Sequence, residues 1–330
     1  MKVLVLGGAG YIGSVVTRAL MEAGHEPVVL DSLATGHRDA VPATVDFIEA
    51  DIADGDALTA ALRRGIGAVM HFAARSLVGE SVAVPEVYWS TNVCGTRTLL
   101  DAMRAAGVRR LVFSSTAATY GEPESVPITE SARVAPTSPY GRSKLAVDMM
   151  IGDEAVAYGL LAVSLRYFNV AGAVAGATER HSPETHLVPN LLRVASGFAP
   201  ELVLFGDDYP TPDGTCIRDY VHVEDLARAH LLALESIARP APDHGGDHRI
   251  YNLGNGAGFS VLQVVEAARR VTGRPIPIRV APRRPGDPAV LVASSGRIEH
   301  ELGWHPLKPG LDQILADAWR FLERPPDHPA

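Results

Sequence analysis

The sequence has few cysteines, no long apolar run and no obvious export signal. Cys94 and Cys216 are the two cysteines in 330 residues, so one disulfide is the maximum, and both are expected to be reduced thiols. No stretch of about 18 apolar residues could form a membrane span. The first residues lack the apolar core and cleavage site of a signal peptide. These absences predict a soluble, cytoplasmic protein.

Basic clusters and metal-binding motifs are also missing. The formal net charge is -8, which argues against a surface that binds nucleic acid or an anionic membrane. The 12 histidines are scattered, and neither H-E-x-x-H nor C-x-x-C occurs, so no metal site is expected. The length allows one large domain or two associated ones.

Short apolar segments alternate with longer amphipathic segments through the first half of the chain. Strands are predicted at residues 3–6, 27–31, 45–49, 68–72, 111–114 and 161–166. Helices are predicted at residues 13–23, 56–62, 88–106 and 140–158. Apolar strands that alternate with helices are typical of a parallel sheet covered on both faces. The predicted fold class is therefore α/β, with a Rossmann-type doubly wound sheet.

Proline and glycine become frequent after about residue 172, which indicates a second, smaller region rich in loops. Residues 250–253 are predicted to return to the main sheet, so the two domains would be interleaved. The Rossmann domain is predicted to comprise residues 1–172 and about 220–255. A smaller substrate-binding domain would comprise about 173–219 and 256–330.

A glycine-rich segment lies between the first predicted strand and the first helix. Gly7, Gly10 and Gly13 allow a tight turn that brings backbone amides against a pyrophosphate at the helix N-terminus. Asp31 ends the next strand, 18 residues after Gly13, where a carboxylate binds ribose hydroxyls and favours NAD over NADP. Asp51, which follows the third strand, either contacts adenine together with Ile52 or caps a turn.

A phenol and an ammonium stand four residues apart in the segment Tyr140-Gly141-Arg142-Ser143-Lys144. On a helix they would share one face, where the lysine cation would lower the pKa of the tyrosine. Thr116 follows a strand at the edge where open α/β sheets bind ligands, and its hydroxyl would assist Tyr140. This set of groups predicts abstraction of an alcohol proton while a hydride passes to NAD.

Further motifs extend along essentially the whole chain: H-F-A-A (71–74), S-P-Y-G-R-S-K (138–144), L-R-Y-F-N (165–169), D-Y-P-T (208–211), I-R-D-Y-V-H-V (217–223), Y-N-L-G (251–254) and P-R-R-P-G-D (282–287). In these motifs the chain resembles the extended short-chain dehydrogenase/reductase family and, within it, the UDP-galactose 4-epimerases. The resemblance implies reversible 4-epimerisation of UDP-glucose and UDP-galactose through transient oxidation to a 4-keto sugar, with Tyr140 as the base.

The resemblance also implies which residues bind. NAD would be held by Gly7, Gly10, Tyr11, Ile12, Gly13, Asp31, Asp51, Ile52, Phe72, Ala73, Ala74, Asn92, Ser114, Tyr140, Lys144 and Phe168. The UDP-sugar would be contacted by Thr116, Asn169, His186, Leu187, Val203, Phe205, Arg218, Tyr220, Arg284, Asp287 and Leu291. Within that set, Arg218 and Arg284 would pair with the pyrophosphate, and Asp287 would accept from the uridine ribose.

Three positions depart from the family pattern. Thr116 replaces the usual serine and keeps the hydroxyl. Ser76 stands where some members carry a lysine near the nicotinamide, with Arg75 one residue away. Leu291 replaces a tyrosine found in members restricted to plain hexoses, so tolerance of 2-N-acetyl sugars is expected.

Several alternatives remain open. A 4,6-dehydratase would need an acid pair where this chain has Ala117 and Ala118. A UDP-pentose or UDP-uronate 4-epimerase of the same family differs only around C5 and C6 of the sugar. A non-catalytic NAD-sensing regulator commonly lacks the tyrosine or the lysine, and both are present. The resemblance also implies a homodimer that packs through the helices at 88–106 and 140–158.

Overall fold

The computed structural model describes residues 1–174, 177–180, 184–238, 245–284 and 286–322. Its strands are β1 (Lys2–Leu6), β2 (Glu26–Asp31), β3 (Asp46–Glu49), β4 (Ala68–His71), β5 (Arg110–Thr116), β6 (Leu161–Tyr167), β7 (Asn169–Ala171), β8 (Leu202–Phe205), β9 (Ile217–His222), β10 (Asp247–Leu253), β11 (Gly258–Ser260), β12 (Ile278–Ala281) and β13 (Val290–Leu291). Its α-helices are α1 (Tyr11–Glu22), α2 (Gly55–Leu62), α3 (Val78–Ala83), α4 (Pro85–Tyr88), α5 (Gly95–Ala106), α6 (Pro139–Tyr158), α7 (Leu187–Ala195), α8 (Val223–Ala238), α9 (Val261–Thr272), α10 (Gly296–Leu302) and α11 (Leu311–Leu322).

A seven-stranded parallel sheet forms the centre of the molecule, in the order β10-β6-β5-β4-β1-β2-β3. The strand order runs outward in both directions from β1 and β4, so the chain reverses its direction of winding between these two strands. Ligands of open α/β sheets bind in the crevice outside the carboxyl ends of the strands at such a point. The fold predicted from the sequence is confirmed.

The two faces of the sheet explain why its strands are apolar throughout. Val3 and Val5 of β1 pack into a core with α1 and α8, whereas Leu4 and Leu6 pack into a core with α2, α5 and α6. Because successive side chains of a strand point to opposite faces, a sheet covered on both sides needs apolar residues at every position. The six predicted strands form, and β10 joins the sheet beside β6 in parallel register, as predicted.

The helix predicted at residues 88–106 differs from the structure in one respect. Its first residue, Tyr88, ends the short helix α4, a π-helical turn covers Trp89–Cys94, and α5 covers the rest. A π turn inserts an extra residue and changes the direction of the side chains that follow, which apolar periodicity does not reveal. The buried side chain of Asn92 lies within this turn.

The loop-rich part of the chain builds two smaller sheets. β9 pairs with β7, β11 and β13, and β8 pairs with β12. A separate core of α7, α9 and α11 packs beside them. The domain boundaries given above stay a prediction. None of the described helices is long and apolar enough to cross a membrane.

Candidate active site

A cavity of about 420 Å³ opens at the carboxyl ends of the central strands. Nearly all predicted cofactor residues line it: Gly7, Gly10, Tyr11, Ile12, Gly13, Asp31, Asp51, Ile52, Phe72, Ala73, Ala74, Ser114, Tyr140, Lys144 and Phe168. Six predicted substrate residues line it as well: Thr116, Asn169, His186, Leu187, Tyr220 and Leu291. Residues far apart in the sequence therefore meet at one edge of the sheet.

The glycine loop has the shape that a dinucleotide pyrophosphate requires. Gly7 has a φ of +76°, and a Cβ there would lie 2.5 Å from the Ala73 nitrogen. A Cβ on Gly13 would lie 2.2 Å from the Gly7 carbonyl oxygen, so both positions exclude any side chain. A Cβ on Gly10 would meet only that same oxygen, at 3.4 Å. Gly10 therefore leaves open space at the uncapped N-terminus of α1, where phosphate binds favourably.

The two carboxylates predicted to contact adenosine accept hydrogen bonds from backbone amides. The Asp31 carboxylate accepts from the amides of Ala9 (2.9 Å) and Leu33 (2.8 Å), so it faces the cavity in a set orientation. Asp51 accepts from the Ala53 amide at 2.8 Å and also lines the cavity. Asp51 thus forms the turn that was one of the two alternatives drawn from the sequence, and its contact with adenine stays a prediction.

Tyr140 and Thr116 meet because α6 begins very close to the end of β5. Ser138 caps α6 by accepting from the Gly141 amide at 3.1 Å, and Pro139 occupies the first turn, a favoured arrangement for a helix start. A Cβ on Gly141 would lie 2.5 Å from the Ala118 carbonyl oxygen, so glycine allows this close approach. The Thr116 side chain is therefore close enough to Tyr140 to lower the pKa of its hydroxyl.

The ionisation of Tyr140 and Lys144 differs from the sequence-based expectation. Burial raises the pKa of Tyr140 to about 12, although the Thr116 side chain opposes this. Burial also lowers the pKa of Lys144 to about 7, while the Asp148 carboxylate raises it. The Lys144 ammonium donates to the Ser114 carbonyl oxygen at 2.8 Å, so it is directed at the strand end. The pKa of Tyr140 is therefore raised by burial, and Lys144 is not among the groups that shift it, contrary to the expectation from the sequence.

Asn92 lies behind the cavity. Its side-chain amide donates to the Arg75 carbonyl (3.0 Å) and to Ser143 Oγ (2.9 Å) and accepts from the Arg75 amide (2.8 Å). It thus ties the loop after β4 to α6. Arg75 and Ser76 line the cavity, and the Arg75 guanidinium lies 3.9 Å from Glu80.

The remaining predicted substrate residues lie outside the lining of this cavity. Val203, Phe205 and Arg218 are in strands of the smaller sheets, and Arg284 and Asp287 are in the segment between β12 and β13. Arg218 forms an ion pair with Asp287, and the Arg284 guanidinium stacks 4.0 Å above the Phe205 ring. Leu291 pairs with Arg218 in the strand register, which connects this group to the cavity. Pro285, within the P-R-R-P-G-D motif, is outside the described residues.

Two residues of the cavity lining, Tyr167 and Glu179, were not predicted from the sequence. Tyr167 forms a hydrogen bond with Ser114 through their hydroxyl groups, and only its place in the L-R-Y-F-N motif signals a role. Glu179 contacts His186 Nδ1 at 2.9 Å, and Glu184 contacts the same atom at 2.8 Å. Burial alone would lower the pKa of His186, but the two carboxylates raise it to about 10.

These three side chains also place ligand atoms within 4.8 Å of one another, close enough to hold a metal ion. The Nδ1 atom of His186 is occupied by the two carboxylates. The three side chains therefore form an ion-paired cluster at the start of α7, which we call the His186 clamp.

Comparison with known proteins gives consistent matches over the whole chain. Residues 3–254 match the model of the NAD dependent epimerase/dehydratase family. The UDP-glucose 4-epimerase of Streptomyces lividans is 59% identical over 97% of this chain and 95% of its own length, and that of Corynebacterium glutamicum is 56% identical with the same coverage. The crystal structure of UDP-glucose 4-epimerase from Brucella ovis in complex with NAD superimposes with a TM-score of 0.91, at 46% identity, over 97% of each chain.

Proposed function

Because the chain belongs to the NAD dependent epimerase/dehydratase family, we propose that it is an isomerase that interconverts UDP-glucose and UDP-galactose. NAD is its cofactor. The observation that supports the proposal is that Tyr140, Thr116 and Lys144 line the same cavity as the glycine loop. A base, a hydroxyl that orients the substrate and a cation meet there, as reversible alcohol oxidation requires.

The residues of the chain fit the cofactor. The space left open at Gly10 and the fixed Asp31 carboxylate suit a pyrophosphate and an adenosine ribose. When bound, NAD supplies a hydride acceptor for C4 of the sugar and, after the sugar has turned, the hydride donor that inverts that centre. Lys144 would hold the nicotinamide ribose.

The chain's own groups manage the proton and the orientation of the sugar. Tyr140 takes the proton of the 4-hydroxyl and later returns it. Thr116 hydrogen-bonds the 4-oxygen and keeps it within reach of Tyr140. Desolvation raises the pKa of Tyr140, so the deprotonated form needs positive charge close by, and the Lys144 ammonium is the protein cation placed to provide it.

The UDP group would be anchored away from the reacting carbon. Guanidinium groups pair with phosphate through two parallel hydrogen bonds, and Arg218 in β9 and Arg284 in the segment after β12 offer them. Asp287 would accept from the uridine ribose when Arg218 turns to the phosphate. A substrate held by its nucleotide leaves the sugar free to turn between the two hydride transfers.

Product analysis tests this function directly. Purified enzyme is incubated with UDP-galactose, UDP-N-acetylgalactosamine and UDP-arabinose, and the products are resolved by chromatography. Equilibration of UDP-galactose with UDP-glucose, without net formation of NADH, is expected. Protein that retains NAD but epimerises none of these sugars would favour the NAD-sensing regulator, and exclusive turnover of UDP-arabinose would favour the pentose epimerase.

Leu291 sets the room around the sugar. It lines the cavity from β13 and is smaller than the tyrosine of hexose-restricted members, so UDP-N-acetylhexosamines are proposed as additional substrates. Leu291→Tyr should abolish their turnover and retain turnover of UDP-glucose. Good UDP-glucose turnover with no UDP-N-acetylglucosamine turnover in the unchanged enzyme would contradict this part of the proposal.

The neighbouring dehydratase chemistry is not favoured. A dehydratase needs a proton donor and acceptor directly after the strand-end hydroxyl, and Ala117 and Ala118 have no titratable group. Ala118 lines the cavity beside Thr116, so this chain has an alanine at the place where a dehydratase would have its acid. Incubation with a nucleoside diphosphate hexose should therefore release no water.

A homodimer in the cytoplasm completes the proposal. The outer face of α6 exposes Met149 (65%) and Val156 (90%), seven residues apart and hence on one stripe. Trp89, at 41% exposure, adds to the apolar surface of the neighbouring helical segment. Replacement of both Met149 and Val156 by glutamate should convert a dimer into a monomer in light-scattering measurements, and an unchanged dimer would reject this face.

A further inference from the structure

Three titratable side chains follow one another on the inner face of α6. Tyr140, Lys144 and Asp148 are spaced by four residues and therefore lie one above another. All three are buried, at 9%, 3% and 3% exposure. The proposed mechanism uses the first two and leaves the buried carboxylate without a role.

Asp148 is held firmly through one of its two oxygens. Its Oδ2 accepts from Arg166 Nε (3.0 Å) and Nη2 (2.9 Å) and from Ser115 Oγ (3.1 Å). Its Oδ1 is buried and has no hydrogen-bond partner among the described residues. A structural ion pair would normally use both oxygens of a buried carboxylate, so half of the acceptor capacity of Asp148 is unexplained by Arg166.

Arg166 is itself fixed. It occupies β6 opposite Ser115 of β5, and its Nη1 donates to the Tyr120 hydroxyl at 3.2 Å. That hydroxyl donates to Asn252 Oδ1 at 2.7 Å. The carboxylate of Asp148 is thus positioned by a network that reaches across three strands of the central sheet.

Lys144 needs a counter-charge because burial disfavours its ammonium form. Its Nζ donates to the neutral Ser114 carbonyl and lies 4.7 Å from the centre of the Phe113 ring. The Asp148 carboxylate acts in the opposite direction to burial and favours the charged form. His71 is the neighbouring base of β4, and its pKa is lowered to about 3 by burial and by Lys144, so it stays neutral and adds no charge at neutral pH.

We propose that Asp148 is a positioning residue of the active site: anchored by Arg166, its carboxylate keeps the Lys144 ammonium charged beside Tyr140. The inference rests on the proposed function, in which that ammonium favours the deprotonated Tyr140. The other charged or titratable groups packed around Lys144 and Asp148 are Tyr140 on α6, His71 on β4, Arg166 and Tyr167 on β6, and His248 on β10. Burial lowers the pKa of His248, and the Asp148 carboxylate raises it.

The small number of lysines allows the titration of Lys144 to be measured directly. It contains three lysines, Lys2, Lys144 and Lys308, so selective ¹⁵N-lysine labelling gives three side-chain signals, and a Lys144→Met variant assigns one of them. In the holoenzyme, Asp148→Asn should lower the titration midpoint of Lys144 by about one pH unit or more. The alkaline limb of the kcat–pH profile should shift in the same direction, whereas KM should change little.

Two further variants separate positioning from simple ion pairing. Asp148→Asn leaves Arg166 as an unpaired buried charge, which endangers folding. The double variant Asp148→Asn/Arg166→Gln removes both charges and keeps the hydrogen-bonding shape. It should still show a Lys144 midpoint below that of the unchanged enzyme. Glu235→Gln, on the exposed side of α8 rather than on the proposed dimer face of α6, is the control and should leave the midpoint and kcat unaltered.

The outcomes are distinct. An unaltered Lys144 midpoint in Asp148→Asn, or a midpoint restored to the original value in the double variant, would overturn the positioning role. Failure of the proposed function would show instead as absence of epimerisation in the unchanged enzyme, whatever the lysine titration gives. The NAD content of each purified variant, measured after denaturation, shows that the holoenzyme was compared throughout.

Discussion

The two ends of the cavity hold their cations in opposite ways. At the reacting end, Lys144 is fully buried, and burial lowers its pKa to about 7. At the other end, two carboxylates overcome the effect of burial on His186 and raise its pKa to about 10. A group that titrates near neutral pH suits chemistry, because small changes in its surroundings change its charge. A group that stays charged suits the fixing of a loop or the anchoring of an anion.

The largest expected effect lies at the reacting end. Tyr140→Phe removes the only proton-accepting atom of that side chain and keeps its ring, so kcat should fall by about a thousandfold or more. NAD should remain bound, and KM should change little. Steady-state kinetics together with the NAD content of the purified protein measure both.

A matched substitution guards against a general effect of losing a phenol. Tyr158 ends the same helix and is 51% exposed, so Tyr158→Phe should be indistinguishable from the unchanged enzyme. Substantial activity in Tyr140→Phe would mean that another group, such as Tyr167, takes the proton. Lys144 beside Tyr140 would then not mark the reacting part of the cavity.

A smaller loss is expected at Thr116. Thr116→Val keeps the shape and removes the hydroxyl that is proposed to orient the sugar 4-oxygen beside Tyr140, so kcat should fall roughly 10- to 100-fold. Thr116→Ser keeps the hydroxyl and should retain nearly full activity. Equal losses in both variants would assign the effect to the methyl group and its packing.

These groups also show what the sequence could and could not predict. Glycine spacing and apolar alternation depend on local rules, so the central sheet, the loop around Gly7 and the arrangement of Tyr140 beside Thr116 were predictable. The π turn at Asn92 leaves the apolar pattern unchanged and was not predicted. The raised pKa of Tyr140 depends on burial by distant segments, and the His186 clamp depends on the path of a loop, and neither has a signature in local sequence.

The residues predicted to bind the UDP group, which lie outside the cavity lining, should respond in KM. Arg284 is exposed and stacks on Phe205, so its charge is free to meet the pyrophosphate. Arg284→Gln should raise KM for UDP-galactose about tenfold, the loss expected for one charge-assisted hydrogen bond, and kcat should stay within a small factor. Neighbouring Arg283 is engaged with Asp208 at 2.6 Å, so Arg283→Gln is the control and should leave KM unchanged. A fall in kcat alone for Arg284→Gln would place this arginine at the reacting end.

The smallest effect tests the contrast between the two cations through stability. His186 has a folded pKa of about 10 against 6.5 for the free side chain, so its stabilisation is complete below pH 6.5 and is lost as the pH rises through 10. Lys144 has a pKa of about 7 in the folded protein against 10.5 for the free side chain. Between these values the lysine is protonated in the unfolded chain and neutral in the folded one, so the free energy of unfolding rises with pH from 7 to 10.5.

Between pH 7 and pH 10, His186 and Lys144 change the free energy of unfolding in opposite directions, so their effects partly cancel in the unchanged protein. A variant that lacks one of the two groups should show the effect of the other. Relative to His186→Asn, the unchanged protein should lose about 1 kcal/mol of unfolding free energy over that range, a small figure because solvent screens a side chain that is 38% exposed. Relative to Lys144→Met, it should gain stability over the same range. Urea denaturation at several pH values measures both differences, and slopes of the same sign would show that the two cations are held in the same way after all.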